Sequence, residues 1–463
     1  MANSTARRAM LLNSILAELR NNEPEYLAAK ASTANRDVKV DWAPVKVDWA
    51  PNKSGKAGSP PSLSAAGLPE VLRSNLAADA KRGDHAVASE KPSATDDVWS
   101  GVERLLDDYV TVRDDDLVVV AYTLDSRTAA AWILAELRAR GTESRSIAMR
   151  PLADEELPGR LDKLLPSAKE LKERLVILTV ERNTMSHVDV FRQALLSYYP
   201  DQWYVGRIIG ASPEFFTHAM REERQRISAR NTALLERFMK ARRMRITTPG
   251  GSDLSVTLDS EKFQWTSNRG SSRPGGFVVL PPGEVATYPE SVDGLFVADG
   301  AINVNVSTKL DARLSANPIE VVIRGGRAVD FSCESPDVSD FIGACFSIPN
   351  MVRIGELGFG TNNGIPEFLP MNTHINERRP GVHLGFGGHN QTYGLVDYQV
   401  ELHMDLISDG AMVWLDDDPA PLDLRHAPLS NADHPTGVMD EDIDGDCCEL
   451  RFDQIKAQDW LGG

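Results

Sequence analysis

The sequence predicts an α/β N-terminal domain, in which a small parallel sheet is flanked by helices, followed by a mostly β (α+β) domain. A disordered N-terminal extension precedes both. Three observations predict this. From about residue 99 to 243, short apolar strand runs alternate with helical stretches; from 244 to 463, β-prone runs alternate with Gly, Pro and Asn turns; residues 1–98 follow neither pattern. A length of 463 residues suffices for two sizeable cores, and 42% hydrophobic with 25% charged residues is ordinary for a soluble globular chain.

The opening stretch "MANSTARRAMLLNSILAELRNNEPEY" has its apolar run interrupted by Asn13, Ser14, Glu18 and Arg20. It reads as an amphipathic helix rather than a signal peptide, and no run approaches membrane-spanning length. Next comes a perfect tandem repeat of seven residues, "VKVDWAPVKVDWAP", at Val38–Pro44 and Val45–Pro51. Two copies are too few for a solenoid, and a proline in every unit forbids a regular helix. The following "NKSGKAGSPPSLSAAG" has the composition of a flexible linker.

In the α/β region "DLVVVAYT" (Asp116–Thr123) is a buried strand, and "SRTAAAWILAELRARG" is a helix that ends on Gly141. "RLVILTV" and "WYVGRIIGA" repeat the strand signal. The turn "TLDSRTA" lacks the glycines of a dinucleotide site, and no P-loop occurs, so no nucleotide is expected. An Arg- and Glu-rich helix over about 213–243 leads into the β region, which begins at "RITTPGGSDLSVTLD".

Charge and cysteine content narrow the partners. A net charge of −17 repels a phosphate backbone, which excludes general nucleic-acid or anionic-membrane binding. Four cysteines, with Cys447 and Cys448 adjacent, make neither a disulfide framework nor a zinc ribbon, and a reducing cytoplasmic setting is expected. "DEDIDGDCCELR" imitates the start of a calcium loop at Asp440, Asp442, Asp444 and Gly445, but Arg451 stands where the closing glutamate belongs, so an acidic tail is the simpler reading.

Six of the nine histidines lie in the β region: His374, His383, His389, His403, His426 and His434. In "VELHMDLISDG", His403 and Asp405 are two apart in a strand pattern, so their side chains share a face. "PGVHLGFGG" places His383 in a similar run, with glycines that leave room beside it. Glu284 in "LPPGEVATYP" and Glu356 in "RIGELGFGTNNG" each follow a glycine, which permits close backbone approach. Two histidines, two glutamates and one aspartate form a mixed nitrogen and oxygen donor set suited to Zn²⁺, Mn²⁺, Co²⁺ or Fe²⁺.

The segments "TPGGSDLSV", "LPPGEVATYP", "GELGFGTN", "NERRPGVHLGFG" and "HMDLISDG" resemble, in order and rough spacing, the aminopeptidase T family of metallo-aminopeptidases. The resemblance spans about residues 100–425 and is specific in the C-terminal part. It implies metal ligands at Glu284, Glu356, His383, His403 and Asp405, one or two divalent ions, hydrolysis of small peptides and a homodimer. Glu284 or Glu356 would bridge or flank the metals, and the other could act as general base. One departure stands out. The family has a tyrosine a few residues after the ligand histidine, whereas "GFGGHNQTYG" carries His389 and Asn390 there, with Tyr393 later. Either the His389 imidazole or the Asn390 amide is the candidate donor to an oxyanion there, or the departure means a reaction other than peptide hydrolysis, with His389 simply capping a turn.

The same resemblance extends to ring-acting relatives such as 2,5-dihydroxypyridine dioxygenase and 5-nitroanthranilate aminohydrolase. It implies, as an alternative, a mononuclear site on His383, His403 and Asp405 acting on a small aromatic metabolite. Two further alternatives concern residues 1–98: a peptide-modifying enzyme that carries its own precursor peptide, or a peptide-binding module without chemistry.

Overall fold

The computed structural model describes residues 2–23, 95–151, 154–182, 186–271, 273–305, 308, 310–392, 394–400 and 402–440. The tandem repeat, the linker, Tyr393 and the acidic tail with Cys447 and Cys448 lie outside them, as does the expectation of a disordered extension. No helix among the described residues is long and apolar enough to cross a membrane.

Strands β1 (Leu117–Thr123), β2 (Glu143–Met149), β3 (Leu175–Glu181) and β4 (Trp203–Ile209) run parallel in the order β2-β1-β3-β4. Every residue of β1 and β3 is buried, because helices cover both faces. Val118, Val120 and Tyr122 pack towards α1 (Ala2–Asn22), α2 (Asp96–Arg104) and α3 (Arg127–Arg140). Leu117, Val119 and Ala121 pack towards α4 (Leu157–Leu164) and α5 (Val188–Leu195). Helix α3 ends as its sequence predicts, on Gly141 in the left-handed conformation (φ 84°). The amphipathic N-terminal helix forms and joins this core: Leu12, Ile15, Leu16 and Leu19 are buried in it.

The helix expected over 213–243 is shorter, α6 (Arg224–Phe238), and a single π turn at Phe215–Ala219 precedes it. The chain between them is held out of helix. Tyr109 Oη donates to the Glu222 carbonyl at 2.8 Å, and the Glu222 carboxylate pairs with Arg230 at 2.7 Å.

Beyond α6 come β5 (Arg243–Thr247), β6 (Asp253–Thr257), β7 (Trp265–Asn268) and β8 (Phe277–Leu280). Strand β8 returns to the first sheet, parallel to β4, so the α/β layer takes its fifth strand from beyond residue 243. The remaining strands are β9 (Glu284–Thr287), β10 (Ser291–Ala298), β11 (Ala301–Val304), β12 (Ile319–Arg324), β13 (Arg327–Ser332), β14 (Ile354–Gly360), β15 (Gly381–Gly387), β16 (His403–Asp409), β17 (Met412–Leu415), β18 (Leu422–Asp423) and β19 (Val438–Asp440).

They build two seven-stranded sheets, β13-β12-β10-β6-β5-β17-β18 and β11-β16-β15-β14-β9-β7-β19. Ile246, Leu254, Phe296 and Val321 of the first share one apolar core with Leu357, Phe359, Leu384, Phe386, Met404 and Leu406 of the second. Helix α6 and α7 (Pro336–Phe346) contribute Leu234, Phe238, Phe341 and Ile342 to it. The α/β layer followed by a mostly β part is thus the observed architecture.

Candidate metal centre

The second sheet divides its side chains by strand alternation. Leu357 and Phe359 of β14, Leu384 and Phe386 of β15, and Met404 and Leu406 of β16 point into the apolar core. The intervening positions form the opposite face. Glu284 on β9 pairs with Gly360 on β14, His383 on β15 with Gly358, and Asp405 on β16 with Gly385. Gly385 also pairs with Glu356, and Gly387 with His403. The five side chains singled out in the sequence therefore lie on one face, drawn from four adjacent strands, with glycines between them.

Those glycines are required by space. A Cβ on Gly358 would lie 1.9 Å from His383 Nε2. A Cβ on Gly385 would lie 2.5 Å from His403 Cε1 and 2.9 Å from Glu356 Cβ. The glycines before the two glutamates also admit close backbone approach. Gly283 has φ of 120° and a Cβ there would meet Asn362 Cβ at 2.6 Å; at Gly355 it would meet the Gly388 carbonyl at 2.1 Å.

His383 Nε2 lies 2.7 Å from Glu284 Oε1 and 3.3 Å from Glu356 Oε1. His403 Nε2 lies 2.9 Å from Asp405 Oδ1, while its Nδ1 lies 3.0 Å from the Gly388 carbonyl. That carbonyl can only accept, so Nδ1 donates to it, and Nε2 is the ring nitrogen turned towards Asp405. Two buried triplets have ligand atoms within 4.8 Å of one another: Glu284, Glu356 and His383, and Glu356, His403 and Asp405. Glu356 belongs to both.

Two further charged residues, not identified from the sequence, complete the cluster. Glu377 and Arg378 sit on the short helix α8 (Ile375–Arg378) and are 3% and 1% exposed. Arg378 forms an ion pair with Glu284 and lies 3.5 Å from Glu377. Asn303 Nδ2 of β11 donates to Glu377 Oε2 at 2.7 Å. Burial alone would raise the Asp405 pKa, but His403, then His383 and a hydrogen bond shared with Glu377 outweigh it and hold Asp405 well below the usual carboxylate range. Four buried acidic side chains (Glu284, Glu356, Glu377 and Asp405), with one proton shared in the Glu377–Asp405 hydrogen bond, thus face a single buried guanidinium in this cluster of described residues. Buried charge of one sign calls for a counter-charge, and the mixed donors fit a divalent ion.

His389 sits at the edge of this face. Its Nε2 donates to the Tyr398 carbonyl at 2.9 Å, and its Nδ1 accepts from the Gln391 N–H at 3.3 Å. Its ring also meets Tyr288 and Tyr398 edge-on. Both ring nitrogens are thus engaged by backbone, and donation to an oxyanion would require releasing the Tyr398 carbonyl. Of the other histidines of this region, His374 borders the cluster, its Nε2 3.9 Å from Glu377 Oε1, whereas His434 Nδ1 contacts Thr232 Oγ1 at 2.8 Å and His426 pairs with Asp423 at 2.8 Å.

No family model matches the chain, and no curated protein matches it. Among solved structures, the chain is similar to 2,5-dihydroxypyridine dioxygenase from Pseudomonas putida KT2440, at 15% identity and a TM-score of 0.49, covering 74% of this chain and 99% of that one. It is also similar to wild-type AmpT from Thermus thermophilus, at 15% identity and a TM-score of 0.43, covering 70% of this chain and 97% of that one.

Proposed function

We propose that the chain is a metal-dependent hydrolase that removes N-terminal residues from small peptides. The observation that carries this reading is the membership of Glu356 in both ligand triplets. A carboxylate with two oxygens can serve two ions at once. Glu284 and His383 would complete one site, and His403 and Asp405 the other. Bound divalent ions would supply carbonyl polarisation and a hydroxide at neutral pH.

The chain's own residues hold this arrangement. Arg378 orients Glu284, and the Gly388 carbonyl fixes the His403 tautomer. Asn303 holds Glu377, which in turn shares a hydrogen bond with Asp405. The buried position of every ligand keeps bulk water from competing for the donors.

The competing reading is a mononuclear centre on His383, His403 and Asp405 acting on an aromatic metabolite. The grouping of His383 with Glu284 and Glu356, apart from His403 and Asp405, favours the hydrolase. Elemental analysis combined with turnover of an aminoacyl chromogen on the same sample tests it. Two ions per chain with turnover supports the hydrolase, one ion without turnover supports the ring enzyme, and no ion supports a binding module.

A further inference from the structure

Helix α1 is separated from α2 by residues 23–95, yet its apolar stripe Leu12, Ile15, Leu16 and Leu19 is buried in the core of the α/β layer. The spacing i, i+3, i+4, i+7 places these four on one helical face. Polar contacts fix the register. Both terminal nitrogens of Arg138 donate to Glu18 at 2.7 Å, and Arg127 donates through Nε and Nη2 to both oxygens of Glu23. Tyr122 Oη also donates to Glu23, at 3.1 Å, and Arg8 pairs with Glu136 and Glu103. Three of these partners, Arg127, Glu136 and Arg138, come from α3.

This seat fixes where the following chain starts. Glu23 rests on Tyr122 and Arg127, at the C-terminal end of β1. At the same edge of the sheet, Gly210 after β4 abuts Thr373 and Ile375, which lead into Glu377 and Arg378 of the metal centre. Strands β1 and β4 have only β3 between them, about 10 Å of lateral distance. From Glu23 to the first repeat unit at Val38 is about fifteen residues, a reach of up to about 50 Å. Tethering of this kind gives an effective concentration of the order of millimolar.

We propose that the metal centre's substrate is carried on the same chain: α1 is a recognition helix seated on α3, and the VKVDWAP units of residues 38–51 are what it delivers for hydrolysis. The inference rests on the metal-hydrolase reading above and extends it, because a cut inside 38–51 breaks an internal peptide bond and does not release an N-terminal residue. One water is consumed for each cut: the peptide C–N bond breaks, the carbonyl carbon gains a hydroxyl to become a carboxylic acid, and the nitrogen takes the remaining proton as an amine.

The test uses the full-length chain, stripped of metal by chelation and then given Zn²⁺ or Mn²⁺. With Zn²⁺, intact-mass spectrometry should show two fragments whose masses sum to the starting chain plus one water, with the cut inside 38–51 and a rate independent of protein concentration. The variant Glu18→Ala/Glu23→Ala should slow the cut at least tenfold while turning over an aminoacyl chromogen at the wild-type rate. A second readout needs no turnover: in chain labelled with 5-fluorotryptophan, the Trp42 and Trp49 signals, assigned with Trp42→Phe and Trp49→Phe, should broaden in the Mn²⁺ form and not in the Zn²⁺ form.

An uncut chain, unbroadened signals, a rate that rises with concentration, or a cut indifferent to the α1 variant would overturn the proposal. Chromogen turnover in that same sample would leave the hydrolase standing. Absence of both self-cleavage and chromogen turnover would instead remove the hydrolase reading beneath it.

Discussion

Gly358 and His383 face each other across β14 and β15, and a methyl group on Gly358 would begin 1.9 Å from His383 Nε2. The His383 imidazole can point along the sheet face only because its neighbour has no side chain. Gly358→Ala should therefore displace the imidazole, at an overpacking cost of about 1–3 kcal/mol. Metal affinity should fall at least tenfold while the far-ultraviolet circular dichroism stays that of the wild type. Titration with a competing chelator and a thermal melt read the two effects.

Arg378 provides the second prediction. It is buried and ion-paired with the carboxylate of Glu284, so Arg378→Met leaves that carboxylate buried without its partner. Breaking such a pair typically costs about 3–5 kcal/mol. The melting temperature of the metal-free variant should drop clearly. Added Zn²⁺ should recover more stability in the variant than in the wild type, because the ion supplies the missing positive charge. An equal gain in both proteins would count against Glu284 as a ligand.

His389 makes a prediction about pH. Burial, the largest influence, lowers its pKa from the ordinary histidine value, and the Tyr398 carbonyl opposes this. A group with a depressed folded pKa binds fewer protons folded than unfolded as the pH drops below about 6.5. Its stabilisation is present above that pH and is lost on acidification through the folded value. Between pH 7.5 and 5.5, denaturant unfolding should show a larger loss of stability in the wild type than in His389→Asn. Equal losses would place the imidazole in a more solvated setting than the structure does.

The convergence of His383, His403 and Asp405 on one face was legible because strand alternation is written directly into the chain. The pair His403 and Asp405 is two apart, and the run Gly381 to Gly387 alternates glycine with larger residues around His383. Glu377 and Arg378 were not legible. Consecutive charged residues on a four-residue helix look like surface, and only the tertiary fold buries them against Glu284 and Asp405. Strand β2, "ESRSIAM", carries little apolar signal because it is the edge of its sheet, and β8 joins that sheet only through a distant pairing with β4. The seat of α1 was hidden for a similar reason. An apolar stripe shows that a helix has a partner, while the contacts of Glu18 with Arg138 and Glu23 with Arg127 show which one.

The role of Glu356 as the residue common to both triplets is the central claim, and metal stoichiometry tests it most directly. Inductively coupled plasma mass spectrometry should be run on wild type, Glu356→Ala and His403→Ala, each saturated with Zn²⁺ and freed of excess ion. The account predicts two ions per wild-type chain, fewer in both variants, and a fall in aminoacyl-chromogen turnover by orders of magnitude in each. A wild-type chain that holds no ion, or a Glu356→Ala variant that keeps the wild-type metal content and turnover, would contradict it.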